Sequence, residues 1–238
     1  MARHRRKRRR PGLTTISVLG VTGAVLWSLY LARGPACAAT PVACTAAPAD
    51  LYASVSPQEY GEAAACGGYL DVTGPRGTVR VQITGACADC RAGEVDLSRA
   101  AYGRIAEPGR PVTAVTYRQV KDPQLREPLG FRIRRGSTQD WLAVQVVDHG
   151  NPLHSVDVRV DDHWRAMKRR ADGSWVAARG AGDGPFTFRV TDVRGHRKQV
   201  GDLDLLPGQI QRSAVFLYGS ARAVPLPTIA ATPVKRSC

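Results

Sequence analysis

The sequence predicts a mainly β protein of two domains, and three observations support this. The chain has 238 residues, which is enough for two domains of ordinary size. Hydrophobic residues make up 43%, which is too many for a disordered chain and enough for buried cores. Short segments with alternating apolar and polar residues are separated by turns rich in Gly, Pro, Asn and Asp, as is typical of strands joined by tight connections.

Residues 1–38 have the layout of an export segment. Residues 3–10 form a cationic block, residues 12–32 contain no charged side chain, and residues 36–38 are small enough for cleavage. The apolar run is also long enough to span a bilayer, for which about 20 residues suffice. We therefore expect either a secreted protein that begins at Ala39 or a protein anchored in the membrane by this retained segment.

The formal net charge of +14 overstates how basic the rest of the chain is. Eight basic side chains and no acidic one lie in residues 1–38. Without this segment the chain is only moderately basic, so we expect no nucleic-acid partner.

Four cysteines, Cys44, Cys66, Cys87 and Cys90, lie in the first half of the expected mature chain. Four cysteines allow three pairings, of which we favour Cys44–Cys66 and Cys87–Cys90, formed in an oxidising compartment. A zinc site is not expected, because there is a single C-x-x-C and the histidines lack ligand spacing. Cys238 has no obvious partner.

The first half alternates strands with short helices. Ser56 and Glu59 form a capping box that predicts a helix beginning there. Residues 68–72 and 78–84 are predicted strands joined by a turn at residues 74–77, because Val79, Val81 and Ile83 alternate with polar residues.

Ser98 is the predicted N-cap of a helix that reaches Ile105. Residues 112–120 form a further strand, and residues 121–125, which include Pro123, form a linker.

The second half consists of short strands alone. Their number and spacing predict an antiparallel sandwich, followed by a flexible tail at residues 220–238. The predicted strands are residues 129–133, 141–147, 156–160, 175–178 and 186–190.

Several motifs together resemble the microbial expansins over roughly residues 44–219. In the first half they are CGGYLDVTGPRG at residues 66–77, VDLS at 95–98 and AYGRI at 101–105. In the second half they are Gly136-Ser137 ahead of Trp141, followed by QV at 145–146, GPF at 184–186 and RVTDVRG at 189–195.

The resemblance implies a fold and a function. The expected fold is a six-stranded double-psi β-barrel at residues 39–120, then the linker, then an immunoglobulin-like carbohydrate-binding module at residues 126–219. Such proteins bind cell-wall polysaccharide, cellulose or peptidoglycan, and loosen non-covalent contacts without hydrolysis. The implied protein is an extracellular monomer without a cofactor or metal.

The resemblance also implies site residues in the barrel. Asp96, in the D-L-S context, matches the aspartate linked to loosening, where a carboxylate can accept sugar hydroxyls or act as a general acid. An alternative role for Asp96 is to cap the following helix. Thr84 matches the polysaccharide-binding strand threonine, but Gly85 replaces the aspartate that usually follows, and the nearby groove tyrosine is replaced by Cys87.

The expected platform of sugar-stacking aromatic residues is reduced. Asp140-Trp141 stands where the family has a Trp pair, and Asp172 lies near the expected third aromatic. Aromatic rings pack well on sugar faces because they are large and apolar with polar edges. Trp141 can be a remnant of that platform or a core residue of its strand, while Trp164 and Trp175 are expected to pack.

Two other functions compete with loosening. A glycosidase generally needs two carboxylates, and Asp71, Asp89 or Glu94 could accompany Asp96, while a lytic transglycosylase needs one. Electrostatic adhesion to anionic wall polymers is the other alternative. It would use the basic cluster of the second half, namely Arg132, Arg134, Arg135, Arg165, Lys168, Arg169 and Arg170.

Overall fold

The structure, a computed structural model, describes residues 30–33, 44–45 and 50–219. The predicted tail at residues 220–238 and most of the predicted export segment lie outside the described residues. Among the described residues, no helix combines the length and the apolar character needed to cross a membrane.

The first domain is a closed barrel of six strands. The strands are β1 (Tyr30–Arg33), β2 (Tyr52–Val55), β3 (Tyr69–Gly74), β4 (Gly77–Ala86), β5 (Glu94–Leu97) and β6 (Val112–Val120). Their order around the barrel is β1-β5-β2-β4-β3-β6. The pairs β1–β5 and β2–β4 are parallel, and the other four are antiparallel. The predicted barrel fold is thus confirmed.

Strand β1 lies on the N-terminal side of residue 39, where the barrel was predicted to begin. It closes the barrel because it pairs with both β5 and β6. The barrel therefore extends further toward the N-terminus than predicted, since an apolar run does not reveal by itself which of its residues join a sheet. Cleavage after Ala38 stays a prediction.

The two helices begin where the capping residues predicted. Helix α1 (Pro57–Tyr60) is capped by Ser56, whose Oγ accepts from the Glu59 N–H, and helix α2 (Arg99–Ile105) is capped by Ser98, whose Oγ accepts from the Ala101 N–H. The N-cap of α2 is therefore Ser98, and the alternative role of Asp96 at the start of this helix stays a prediction.

The second domain is a sandwich of two antiparallel sheets. Its strands are β7 (Gly130–Ile133), β8 (Leu142–Val147), β9 (Leu153–Val160), β10 (His163–Ala166), β11 (Lys168–Arg169), β12 (Trp175–Ala177), β13 (Phe186–Asp192), β14 (Arg197–Leu203) and β15 (Ile210–Arg212). One sheet has the order β10-β9-β13-β14 and the other β11-β12-β8-β7-β15. The predicted sandwich is confirmed, and β10, β11, β14 and β15 are the strands that the sequence pattern did not reveal.

Each domain has its own core. In the sandwich, Phe131 of one sheet stacks on Phe188 of the other with ring centroids 5.4 Å apart, and Leu142, Val144 and Val146 of β8 join them. A separate barrel core contains the inward residues of its strands, including Ala53, Val79, Val81, Ile83, Val95 and Leu97. The alternation in β4 and β8 therefore sets which residues face outward.

Both favoured disulfides are confirmed. Cys44 pairs with Cys66 across a Cα–Cα distance of 6.0 Å, and Cys87 pairs with Cys90 across 5.3 Å. The first links the segment before β2 to the loop before β3, and the second closes the loop between β4 and β5.

Candidate functional site

Asp96 lies on the outer side of the barrel wall. Its neighbours Val95 and Leu97 point into the barrel core, so the side chain of Asp96 points the other way. It is half-buried. Its placement on a rigid strand allows its carboxylate to meet a ligand at the barrel surface.

The register of the sheet places Ser54 and Gly85 in the same row as Asp96. Asp96 pairs with Ser54 of β2, which in turn pairs with Gly85 of β4. Neighbouring strands are about 4.8 Å apart, so the backbone of Gly85 lies roughly 10 Å from that of Asp96. A carboxylate at position 85 would face the same surface as Asp96. Because Gly85 has no side chain, Asp96 is the acidic residue of this row.

Thr84 occupies a bulge in β4. The pairing with β2 passes from Ile83 directly to Gly85, so Thr84 is the extra residue. Thr84 is 2% exposed, and its hydroxyl donates to the carbonyl oxygen of Ala53 at 3.5 Å. This burial disfavours direct contact with polysaccharide, so that role for Thr84 stays a prediction.

The three candidate second carboxylates have different environments. Asp71 accepts hydrogen bonds from Arg80 at 2.8 Å and Arg118 at 2.9 Å, and the hydrogen bond from Arg80 holds the pKa of Asp71 below its usual value. Glu94 is buried and accepts from the Arg91 N–H at 3.1 Å, while Asp89 is exposed. Asp71 therefore stabilises the β3–β4–β6 surface and Glu94 the loop before β5.

Glu59 is a carboxylate near β5 that the sequence did not assign to a site. Its carboxylate accepts from the Ser56 hydroxyl at 2.5 Å, from the Gly93 N–H at 3.3 Å and from the Tyr117 hydroxyl. The capping box predicted only the contact with Ser56, because the other donors come from distant parts of the chain. With donors from three parts of the chain, the Glu59 side chain ties α1 to β6.

Trp141 lies on the outer face of the five-stranded sheet. Its side chain lies on the same side of the sheet as those of Ala143 and Gln145, whereas Leu142 and Val144 face the core. Its exposed fraction is 38%. Trp141 is therefore a surface residue rather than a core residue.

The loop before Trp141 is braced by a tight contact. The N–H groups of Ala181 and Gly182 both donate to the carbonyl oxygen of Gln139 at 3.1 Å. At Gly180, where φ is +60°, a Cβ would lie 1.7 Å from that same oxygen, so only glycine fits. The bracing gives the indole a defined position.

Charged residues also lie on the strands and turns of this sheet. Arg134 contacts Asp172 at 3.4 Å, and Arg132 donates to the amide oxygen of Gln145 at 3.2 Å. Burial acts to raise the pKa of Asp172, but hydrogen bonds from Ser174 and the charge of Arg134 lower it overall. Near the position where we expected an aromatic residue, Asp172 is therefore a charged residue whose partners are Ser174 and Arg134.

The basic cluster of the second half is divided by the fold. Arg165 donates to the Gly180 carbonyl oxygen, and Arg169 donates to the Leu153 carbonyl oxygen while its guanidinium lies over the ring of Trp175. These two stabilise the sandwich. Of the remainder, Arg132 and Arg134 have side-chain partners and three are exposed, namely Arg135, Lys168 and Arg170.

The sandwich packs directly against the barrel. At Gly67 of the barrel, where φ is +72°, a Cβ would lie 2.3 Å from the His149 ring. Tyr60 of α1 lies near Asp172 of the sandwich, and burial together with that charge raises the pKa of Tyr60 to about 12. A cavity of only about 10 Å³ remains between Cys66 and Trp175.

Asn151 holds the linker against the sandwich. Its side chain accepts from the Asp122 N–H at 2.9 Å and donates to the carboxylates of Asp122 at 2.7 Å and Asp192 at 2.8 Å. Arg194 donates to the Asp122 carboxylate at 2.9 Å, and His196 contacts Asp192 at 2.8 Å. We call these five residues the linker clasp.

Within the described residues, the linker clasp also contains a group with metal-ligand spacing. Asp122, Asp192 and His196 have ligand atoms within 4.8 Å of one another. The Asn151 amide and the Arg194 guanidinium already donate to the same carboxylates, and a cation would meet the positive charge of Arg194. The arrangement therefore suits a hydrogen-bonded joint better than a metal centre.

Comparison with known proteins defines the family. Residues 129–207 match the family described as Expansin C-terminal domain. Two crystal structures of an expansin from Clavibacter michiganensis are similar to this structure with a TM-score of 0.75; one is a mutant in complex with cellohexaose and the other is the apo protein. Their sequence identities are 34% and 35%, and they cover 80% and 81% of this chain and 98% of each expansin chain. The chain belongs to the expansin family.

Curated relatives agree over a shorter span. Expansin-YoaJ from Bacillus subtilis is 32% identical over 149 residues, which is 62% of this chain and 61% of that protein. Expansin-B17 from Oryza sativa subsp. japonica is 28% identical over 184 residues, which is 68% of this chain and 66% of that protein. The chain spans less than two thirds of the length of these two relatives.

Substitution of Asn151 by Ala is expected to lower the free energy of unfolding by about 1–3 kcal/mol, because it leaves buried donors and acceptors of the linker clasp unpaired. Urea unfolding of both proteins measures the difference. Gln119→Ala, which removes an exposed amide from β6, is the control and should change stability by less than about 0.5 kcal/mol. Equal stabilities of Asn151→Ala and wild type would contradict the role of the clasp.

Acidification is expected to destabilise the protein below about pH 6.5, the ordinary pKa of histidine. Burial lowers the pKa of His149, so below pH 6.5 the unfolded chain binds a proton there that the folded protein does not bind. The stability is lost as the pH falls toward the lowered pKa. In urea unfolding at pH 7.5, 6.5 and 5.5, His149→Gln should show a smaller loss than wild type; an equal loss in both proteins would assign the pH dependence to other groups.

Proposed function

We propose that this protein binds cell-wall polysaccharide and loosens non-covalent contacts between polymer chains. The observation that carries the proposal is the pair of surface groups on a two-domain expansin fold, Asp96 outside the barrel and Trp141 outside the five-stranded sheet. An aromatic ring can stack on a sugar face, and a carboxylate can accept hydrogen bonds from sugar hydroxyls. A cellulose-like β-glucan fits because its flat faces suit a ring and its hydroxyls suit a carboxylate.

The carboxylate chemistry favours a mechanism without hydrolysis. A retaining glycosidase places two carboxyl groups about 5–5.5 Å apart, and an inverting one about 6.5–9.5 Å apart. In the same row as Asp96 stand Ser54 and Gly85, neither of which carries a carboxyl group. Asp71 accepts from Arg80, and Glu94, two residues before Asp96 on β5, is buried and accepts from the Arg91 N–H. This cross-strand row supports a role for Asp96 in accepting hydrogen bonds from sugar hydroxyls.

We further propose that the protein is exported, either secreted or tethered by its N-terminal segment, and that it acts as a monomer. The two disulfides support an oxidising compartment. Polysaccharide outside the membrane is then within reach of both surface groups.

Replacing Trp141 by Ala is expected to weaken binding to cello-oligosaccharides by about 1–3 kcal/mol, the range measured for stacking of bases on aromatic side chains. The melting temperature should change little, because Trp141 lies outside the core. Titration calorimetry with cellohexaose measures the affinity. Val193→Ala, which truncates an exposed apolar residue in the turn between β13 and β14, is the control and should bind as wild type does. Unchanged affinity of Trp141→Ala would remove the indole from the binding surface.

Replacing Asp96 by Asn is expected to abolish wall loosening while leaving cellohexaose affinity within about twofold of wild type, because the amide lacks the charge that strengthens hydrogen bonds from hydroxyls. Creep of isolated walls under constant load measures loosening. The matched control is Asp162→Asn, an exposed carboxylate of the sandwich. Creep by Asp96→Asn at the wild-type rate would exclude Asp96, and release of reducing sugar by wild type would support a hydrolytic function instead.

A further inference from the structure

A second pocket lies along helix α2, apart from the residues of the proposed site. Its volume is about 350 Å³. It includes neither Asp96 nor Trp141, and it lies between α2, the β3–β4 turn and the segment before β6. Its lining consists of Arg76, Arg99, Tyr102, Gly103, Ala106, Glu107, Pro108, Gly109 and Arg110.

The shape of the pocket depends on contacts within the protein. The Tyr102 hydroxyl donates to the Arg110 carbonyl oxygen at 2.9 Å, and the Arg110 N–H donates to the Glu107 carbonyl oxygen at 3.3 Å. Arg76 donates to the carbonyl oxygens of Gly103 at 3.5 Å and Ala106 at 3.4 Å, at the C-terminal end of α2. These contacts hold the wall of the pocket against the helix, so a ligand would meet a largely pre-formed cavity.

The pocket has an excess of positive charge. Three arginines line it, against the single acidic residue Glu107. Within the described residues, neither Arg76, Arg99 nor Arg110 forms an ion pair, whereas several arginines elsewhere do, including Arg80, Arg134, Arg189, Arg194 and Arg212. Each guanidinium presents several N–H donors in a fork that matches a carboxylate.

The remaining lining suits a sugar ring. Tyr102, Ala106 and Pro108 offer apolar surface, and a volume of about 350 Å³ is within the range of small-ligand pockets. A neutral glucan carries nothing to match the guanidinium groups, while a sugar acid carries one carboxylate on each ring. The lining thus combines an apolar surface with arginines that can bind a carboxylate.

We propose that this pocket binds the carboxylated sugar units of an acidic polysaccharide, a polyuronate. The inference deepens the proposed function by adding a charged polymer to the neutral one, and it uses residues separate from Asp96 and Trp141. The carboxylate lies between Arg99 and Arg110, and the ring packs beside Tyr102. Binding weakens as salt rises, because ion pairs at a partly exposed pocket are screened.

The test is titration calorimetry with a trigalacturonate at 50 mM and 300 mM salt. We expect wild type to bind with lower affinity at the higher salt, and the double variant Arg99→Gln/Arg110→Gln to lose at least tenfold in affinity. The matched control Arg104→Gln/Arg197→Gln removes the same charge from exposed positions, one on α2 outside the pocket lining and one on β14. It should stay within about twofold of wild type.

Three results would overturn the inference. They are a lack of trigalacturonate binding by wild type, equal binding by wild type and Arg99→Gln/Arg110→Gln, and binding of tripolyphosphate at least as tight as that of trigalacturonate. Thermal melting of the double variant establishes that it is folded. Titration with cellohexaose distinguishes the two proposals. If the protein failed to bind cellohexaose but still bound trigalacturonate in an Arg99-dependent way, the neutral-glucan function would be removed. The polyuronate pocket would then remain.

Discussion

The amide of Asn151 is the contact on which the arrangement of the two domains depends. It is 1% exposed and bonds to the backbone and carboxylate of Asp122 in the linker and to the buried carboxylate of Asp192 in the sandwich. Buried polar groups are costly when unpaired, so the linker has little freedom to leave this position. The close approach of Gly67 to His149 reinforces it from the barrel side. The joint thus fixes the position of the barrel surface relative to the sandwich surface.

The surfaces that this joint holds together differ in character. The outer face of the five-stranded sheet presents one exposed indole, and Arg134 is paired to Asp172 in the turn before β12. The barrel presents Asp96 with Gly85 in its row instead of a second carboxylate. This face thus offers a single exposed indole for stacking, together with charged groups. Such a surface favours polymers that carry both apolar ring faces and charge.

The sequence pattern identified the inner strands of the sandwich and missed the outer ones for a physical reason. Strands β7, β8, β9, β12 and β13 were predicted, while β10, β11, β14 and β15 are the four edges of the two sheets. Edge strands are short or polar, since they face solvent and must not pair with other chains. Strand β14, for example, begins with three exposed residues, Arg197, Lys198 and Gln199. Its strand conformation comes from pairing with β13, which no local pattern records.

Local chemistry determined the capping of both helices at Ser56 and Ser98 and the inward residues of β4. These depend on contacts within a few residues, which a sequence displays directly. Only the tertiary structure decided that Trp141 faces solvent, that Thr84 is the bulged residue, that Glu59 contacts Tyr117, and that three arginines share the pocket along α2. Each of these depends on which distant strand or loop lies alongside, and the free energy that selects this pairing comes from the packing of the whole core.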